Sequence, residues 1–283
     1  MRYNILIRNA SKIFRINLFK DMVNLRKYEN KPYGIAVIHG GPGAPGEMAP
    51  IARELSSIKG VLEPLQTATT IEGQVEELKI ILLQNGALPI TLIGFSWGAM
   101  LSFIFTAKNP SFVNKLILIS SGVYEEEYAV NIMGTRLIRL SDEEREEALL
   151  ISETLNDSST EDKNTPMAKL GKLIFKADSY NPLPHNSEII EYQHDIYQSI
   201  WEEVMQLRSC GKLLKLGENI KCPVVAIHGD YDPHPFKGVK DPLSRILKDF
   251  RFMLLEKCGH YPWVERNAKD RFYDILKNES KMS

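Results

Sequence analysis

With 283 residues, 43% hydrophobic and 25% charged, the chain can bury a sizeable core, either as one large domain or as one domain carrying an insertion, and its composition is ordinary for a soluble globular protein. A formal net charge of -1 excludes the electrostatic footprint of a nucleic-acid binder or of a protein held at an anionic membrane surface. Cys210, Cys222 and Cys258 are odd in number and spaced like neither zinc ligands nor a redox pair, so they read as reduced thiols packed as small hydrophobes.

Residues 1–30 are expected to supply one or two edge strands. Met1 to Lys20 mixes charges and Asn through its apolar residues, which is not a signal-peptide core. No later run is long and clean enough to span a bilayer, so a cytoplasmic protein is expected. Gly34 to Ile38 is an unbroken apolar run of strand length, suited to a central parallel strand covered on both faces. It ends in His39-Gly40-Gly41-Pro42-Gly43, a loop that can aim backbone N–H groups into a crevice at the strand's carboxyl end. It is not a phosphate loop, because no Lys-Ser/Thr follows the glycines.

Residues 47–57 predict a helix and Gly60 to Leu65 a short strand. Thr70 reads as the N-cap of a helix with Ile71, Val75, Leu78 and Leu82 on one face, stopped by Asn85-Gly86. Ile90 to Ile93 then reads as a buried strand and Ala99 to Phe105 as a helix, with Gly94-Phe95-Ser96-Trp97-Gly98 between them. Gly-x-Ser-x-Gly between strand and helix is the pattern of a nucleophile elbow, a strained turn that exposes the Ser hydroxyl. Lys115 to Ser121 is another strand, ended by Gly122. The alternation to this point predicts a parallel sheet with helices on both faces.

After Gly122 the texture changes. Residues 123–215 carry acidic clusters and helical periodicity without a convincing buried strand, which predicts a helical insertion lying over the crevice as a lid. Ser141 and Glu144 have capping-box spacing, 156–165 is a polar loop, and a long helix is expected from Glu188 to about Leu207. Tyr180, Tyr192, Tyr197 and Trp201 are candidates to face a substrate from the lid; Tyr192 and Trp201 are carried forward as binding residues. The sheet resumes at Pro223 to Ile227, followed by His228-Gly229-Asp230-Tyr231-Asp232-Pro233, and Phe252 to Leu255 leads into Cys258-Gly259-His260.

A Ser hydroxyl is a weak nucleophile at neutral pH. It needs a neutral imidazole to take its proton and a carboxylate behind the imidazole to fix the tautomer. Of the six histidines, His185 and His194 lie in the insertion, His39 and His228 end strands before Gly, and His234 crowds the acid's own loop, which leaves His260 as the base. Asp232 is the acid, with Asp230 two residues away as the alternative that would cap loop N–H groups instead. Asp230, Asp232 and His234 have no supporting ligand set for a metal.

Four motifs in this order resemble the α/β-hydrolase superfamily, and specifically its proline iminopeptidase branch: His39-Gly40-Gly41-Pro42-Gly43, Ser96-Trp97-Gly98, His228-Gly229-x-x-Asp232 and Gly259-His260. The resemblance spans roughly residues 32–122 and 216–277. It implies an α/β-hydrolase fold, with a mostly parallel sheet flanked by helices: a core of residues 1–122 and 216–283 and an inserted lid of 123–215. It also implies Ser96 as nucleophile, Asp232 as orienting acid, His260 as base, and an oxyanion hole from the N–H groups of Gly41 and Trp97. Two departures touch the substrate. Phe95 stands where the branch usually has Gly before the nucleophile, and Leu65 to Thr70 replaces an Asp-x-Arg-Gly-x-Gly-x-Ser segment. The branch also holds a free α-amino group with acidic lid residues, for which Glu188, Glu191, Glu202 and Glu203 are available.

The expected function is a serine hydrolase that cleaves a small ester, amide or thioester through an acyl-enzyme, acting on a small molecule or short peptide and requiring no cofactor and no metal. An N-terminal-proline aminopeptidase is the alternative among enzymes. A non-catalytic ligand receptor on the same fold is the alternative of another class. Neither nucleic acid nor membrane is an expected partner, and the oligomeric state is left open.

Overall fold

In the computed structural model, which describes residues 24–281, each unbroken apolar run is a strand because both of its faces are covered. Seven strands form one sheet among these residues: β1 (Leu25–Tyr28), β2 (Tyr33–Ile38), β3 (Gly60–Pro64), β4 (Gly86–Phe95), β5 (Val113–Ile119), β6 (Val224–Gly229) and β7 (Phe250–Leu255), in the spatial order β1-β3-β2-β4-β5-β6-β7. Only β1 is antiparallel to its neighbour; every other pair is parallel. The expected N-terminal edge strand is β1, while the rest of that reading falls on residues 1–23, outside the described residues.

Successive strand residues point to opposite faces, and the core divides accordingly. Ala36, Ile38, Leu116, Leu118, Val224 and Ala226 pack with α2 (Ile71–Asn85), α3 (Trp97–Lys108) and α9 (Lys237–Ile246). Their neighbours Ile35, Val37, Ile117, Ile119, Val225 and Ile227 pack with α1 (Ala49–Ser56) and α10 (Lys269–Lys281). The Thr70 hydroxyl caps α2 by accepting from Gly73 N at 3.1 Å, and Ile71, Val75, Leu78 and Leu82 are buried on one face as expected.

Strand β3 lies to one side of β2 and β4 to the other, so the order of the sheet reverses beside β2. At such a switch point two successive carboxyl-end loops diverge and leave a crevice between them. Here the loops are His39 to Gly43, after β2, and the Ser96 turn, after β4. The approach of α3 to β2 is close enough to demand glycine: a Cβ on Gly98 would lie 2.3 Å from the carbonyl oxygen of Ile38, and one on Gly94 would lie 2.1 Å from that of Gly98.

Five helices stand between β5 and β6: α4 (Ile132–Ile138), α5 (Asp142–Asn156), α6 (Asn164–Asp178), α7 (His194–Ser209) and α8 (Lys212–Lys215). The Ser141–Glu144 capping box opens α5. One expectation is corrected: the long helix starts at His194 rather than Glu188. Residues 188–193 are held as extended chain by the glycine loop, with Ile190 N donating to Pro45 O at 2.8 Å and Gln193 N to Gly43 O at 3.0 Å. Helical periodicity in that stretch yields to tertiary hydrogen bonds that a helix would have to give up.

Gly98→Ala is expected to lower stability by about 3 kcal/mol, because its methyl group meets rigid backbone on two residues, and to show as a lower urea midpoint. An unchanged midpoint would mean that α3 can shift away from β2 freely.

Candidate active site

Ser96 is the single residue between β4 and α3. Its φ of 52° and ψ of -117° place an L-residue in a region that ordinarily costs about 1–3 kcal/mol. The strain is held by the sheet, since Ser96 N donates to Ile119 O at 3.0 Å, and by the glycines on either side. Its side chain is partly exposed, and its hydroxyl makes no hydrogen bond among the described residues.

The loops after β6 and β7 bring Asp232 and His260 together. Both are buried, and His260 Nδ1 lies 2.7 Å from Asp232 Oδ2. Asp230 takes the other role open to it, accepting from Cys258 N at 3.1 Å and so tying the two loops together. His260 is also placed from below. The ring of Phe95, covalently next to Ser96, packs 4.9 Å from the His260 ring and 4.7 Å from that of Trp263. This is where the departure from Gly at position 95 acts: a large ring packs on the imidazole of His260 next to Ser96.

Asp232 is ringed by imidazoles. His234 Nδ1 lies 2.9 Å from Oδ1, and His228 Nε2 lies 3.4 Å from Oδ2 while bonding His234 O at 2.8 Å. Burial would raise the Asp232 carboxyl, yet His260, His228 and His234 outweigh burial and hold it well below the usual carboxylate range. Burial likewise pushes His260 down, but Asp232 reverses the effect through charge and hydrogen bond, so His260 sits above the ordinary histidine value. Burial lowers His228, and it brings His234 down to about 4. Asp232, His234 and His260 offer ligand atoms within 4.8 Å of one another. Each of the two Nδ1 atoms is already engaged with the carboxylate, so the cluster is a proton-holding network and no metal is assigned to it.

On the facing loop, His39 is buried and neutral, lowered to about 4 by desolvation. Gln66 N donates to its Nε2 at 3.3 Å, which leaves Nδ1–H to donate to Gly40 O at 2.8 Å. Gly41 adopts a φ of 102°. Among the described residues neither Gly41 N nor Trp97 N donates to a protein acceptor, so both remain available to a ligand. Gly40 N donates to Glu47 Oε2 at 3.1 Å. Burial brings the Glu47 carboxyl up to about 7, against the opposing pull of His260 and the Gly40 N–H.

A cleft of about 590 Å³ opens beside this cluster, lined by Glu47, Arg53, Phe175, Glu188, Tyr192, Tyr261 and Trp263 among others. Tyr192 therefore reaches a cavity. Trp201 does not line it: the indole packs 6.4 Å from Trp97, and its buried Nε1 has no partner among the described residues. Ser96 and His260 lie outside the lining as well, with Tyr261 bordering both the cleft and the His260 ring at 5.2 Å. Tyr180 and Tyr197 are substantially exposed. Of the acidic residues in the excursion, Glu188 pairs bidentately with Arg53, Glu203 accepts from Ile71 N at 3.0 Å, and Glu191 and Glu202 bond neighbouring glutamines.

Several residues that shape the site escape sequence reasoning. Glu265 is fully buried and accepts from the backbone N–H groups of Tyr180, Asn181 and Gly259 at 2.6, 2.8 and 2.9 Å. Asp178, also fully buried, pairs bidentately with Arg136 of α4 at 2.8 and 2.7 Å, while its carbonyl accepts from His260 N at 2.8 Å. These groups fasten the helical excursion to the His260 loop. Their partners are distant in sequence, and isolated acids amid many others carry no local signal.

Comparison with known proteins bears on the fold that carries these residues. A family model described as alpha/beta hydrolase fold matches residues 42–266. The proline iminopeptidase of Lactobacillus delbrueckii subsp. lactis is 23% identical over 273 residues, covering 83% of this chain and 86% of its own. An esterase from Exiguobacterium antarcticum superposes with a TM-score of 0.64 at 17% identity, covering 91% of this chain and 94% of the other. A proline iminopeptidase from Mycobacterium smegmatis does so with a TM-score of 0.59 at 16% identity and the same coverage. The resemblance read from the four motifs is thus met at the level of the whole fold.

Arg136→Ala would leave the Asp178 carboxylate buried without its partner. It is expected to lower stability by about 3–5 kcal/mol, read as a fall in the denaturation midpoint. A wild-type midpoint would show that the pair does not fasten the excursion.

Proposed function

We propose, from the premise that this chain belongs to the alpha/beta hydrolase fold family, that it is a serine hydrolase cleaving a small ester, amide or thioester through an acyl-enzyme. The observation that carries the reading is the buried 2.7 Å contact between His260 Nδ1 and Asp232 Oδ2, together with a Ser held at positive φ after β4, whose neighbour Phe95 packs 4.9 Å from the His260 ring. With Nδ1–H committed to Asp232, His260 Nε2 carries the lone pair and can accept the Ser96 proton as Oγ attacks the acyl carbon. The imidazolium that forms is stabilised by the ionised Asp232. It then gives its proton to the leaving group, and a water molecule repeats the sequence to release the acid.

Negative charge on the acyl oxygen would be met by Gly41 N–H and Trp97 N–H. Loss of one such donor typically costs about 3–4 kcal/mol of transition-state stabilisation. None of these steps needs a cofactor. In this reading residues 123–215 are a lid over a core of 1–122 and 216–283, and Tyr192 borders the substrate. No helix among the described residues is long and apolar enough to cross a membrane; we place the protein in the cytoplasm, with free thiols at Cys210, Cys222 and Cys258. The likeness to proline iminopeptidases favours a second reading, release of an N-terminal proline. Under it a free-amine proline amide should be cleaved and its N-acetylated form refused.

A fluorophosphonate probe should label the wild-type protein and not Ser96→Ala, and turnover of the best substrate should fall about a millionfold in that variant. Full turnover by Ser96→Ala would remove the proposal. Asp232→Asn should lose about 10⁴-fold in kcat. Because the base must be neutral and His260 lies above 6.5, kcat/KM should decline with falling pH through a midpoint above 6.5. A midpoint well below that value would assign the base elsewhere.

A further inference from the structure

A carboxylate has two oxygens, and orienting one histidine occupies one of them. In this protein the second is taken by another imidazole. Asp232 Oδ2 faces His260 Nδ1 at 2.7 Å, while Oδ1 accepts from both the backbone N and the Nδ1 of His234, each at 2.9 Å. The His234 ring lies face to face with that of His260, with centroids 4.8 Å apart and planes 30° from parallel. Both rings and the carboxylate are buried. The carbonyl of His234 is held in turn by His228 Nε2 at 2.8 Å, so the residue is fastened at backbone and side chain.

We propose that His234 is a positioning residue of the catalytic apparatus: its Nδ1–H holds Asp232 Oδ1 so that Oδ2 alone serves His260, and its ring limits the tilt of the His260 imidazole. The inference rests on the serine-hydrolase reading above. A carboxylate torsion is broad and roughly two-fold, so an acid with one bonded oxygen can swing; two donors on Oδ1 fix its plane. Stacking two histidines is tolerable only if they are not charged together, and His234, lowered to about 4, stays neutral while His260 gains and loses its proton.

A second consequence concerns basicity. A donor on Oδ1 draws charge from the carboxylate, and without it Asp232 would stabilise the His260 imidazolium more strongly. The charged and titratable groups facing His260 are Asp232 and His234 from the loop after β6, His228 from β6, Asp178 from α6, Arg136 from α4, Glu47 from the loop before α1, and its neighbour Tyr261. Of these, His234 is the one that both bonds the free oxygen of Asp232 and stacks on the base.

The rate of Ser96 labelling by a fluorophosphonate, measured against pH, tests this without knowledge of the substrate. His234→Asn keeps an N–H at the Nδ1 position but has no ring, and should keep the wild-type acid limb while labelling faster than His234→Gln. His234→Leu and His234→Gln lack a donor there; both should label about 10- to 100-fold more slowly at neutral pH, by analogy with the loss when a carboxylate that orients a metal-bound histidine is removed, with the acid limb displaced to higher pH. A folded His234→Leu or His234→Gln with the wild-type rate and limb overturns the proposal, as does a His234→Asn impaired as much as His234→Gln. If His234→Leu does not fold, the Asn and Gln pair decides alone. Ser96→Ala and His260→Ala separate the two readings: wild-type labelling lost in both, with no effect at position 234, removes only the role of His234, whereas labelling that survives in Ser96→Ala removes the serine-hydrolase reading and this one with it.

Discussion

The contact on which the site depends is backbone against backbone. Gly98, in the first turn of α3, lies so close to the carbonyls of Ile38 and His39 that no side chain fits between them. This approach sets the end of β4 beside the end of β2. It thereby fixes the distance between the Ser96 turn and the His39 to Gly43 loop, which an oxyanion hole must span. The strained φ at Ser96 follows from the same constraint: the chain has to leave the strand and enter the helix within one residue. Packing rigid on both sides makes that strain sustainable.

Around this frame, carboxylates position loops by accepting backbone N–H groups. Glu265 holds three, Asp230 holds the one on Cys258, and Glu47 holds the one on Gly40. A carboxylate hydrogen-bonded in this way has its desolvation compensated and serves as a rigid bracket. Asp178 adds a second type of bracket, with its charge neutralised by Arg136 and its carbonyl bonded to His260 N. The helical excursion is consequently connected to the His260 loop through side chains and main chain at once. A change at Arg136 or Glu265 would be felt at the His260 loop, which both of them fasten.

Electrostatics within the cluster are ordered by proximity to one anion. Asp232 is ionised against burial because imidazoles surround it, and the closest of them is raised while the others are lowered. Titratable groups whose environments push them apart can take separate roles: His260 is raised by Asp232, while burial lowers His234 and His228 and favours their neutral forms. Phe95 adds a further ring contact to His260, beside those of His234 and Tyr261.

Local pattern alone determined the alternation of strand and helix, the strand–turn–helix at Ser96, and the place of the helical excursion between β5 and β6. Each of these depends on short-range chemistry: unbroken apolar runs covered on both faces, glycines at a tight turn, caps at Thr70 and Ser141. Tertiary structure decided what depends on distance in space. It chose Asp232 over Asp230, since only the geometry of two loops shows which carboxylate reaches His260. It moved the start of α7 to His194, because residues 188–193 bond to the glycine loop instead of to themselves. It also brought His234, Glu47, Glu265 and the Arg136–Asp178 pair to the site. A lone polar residue has no periodicity to announce it, and its role is set by partners that folding alone brings within reach.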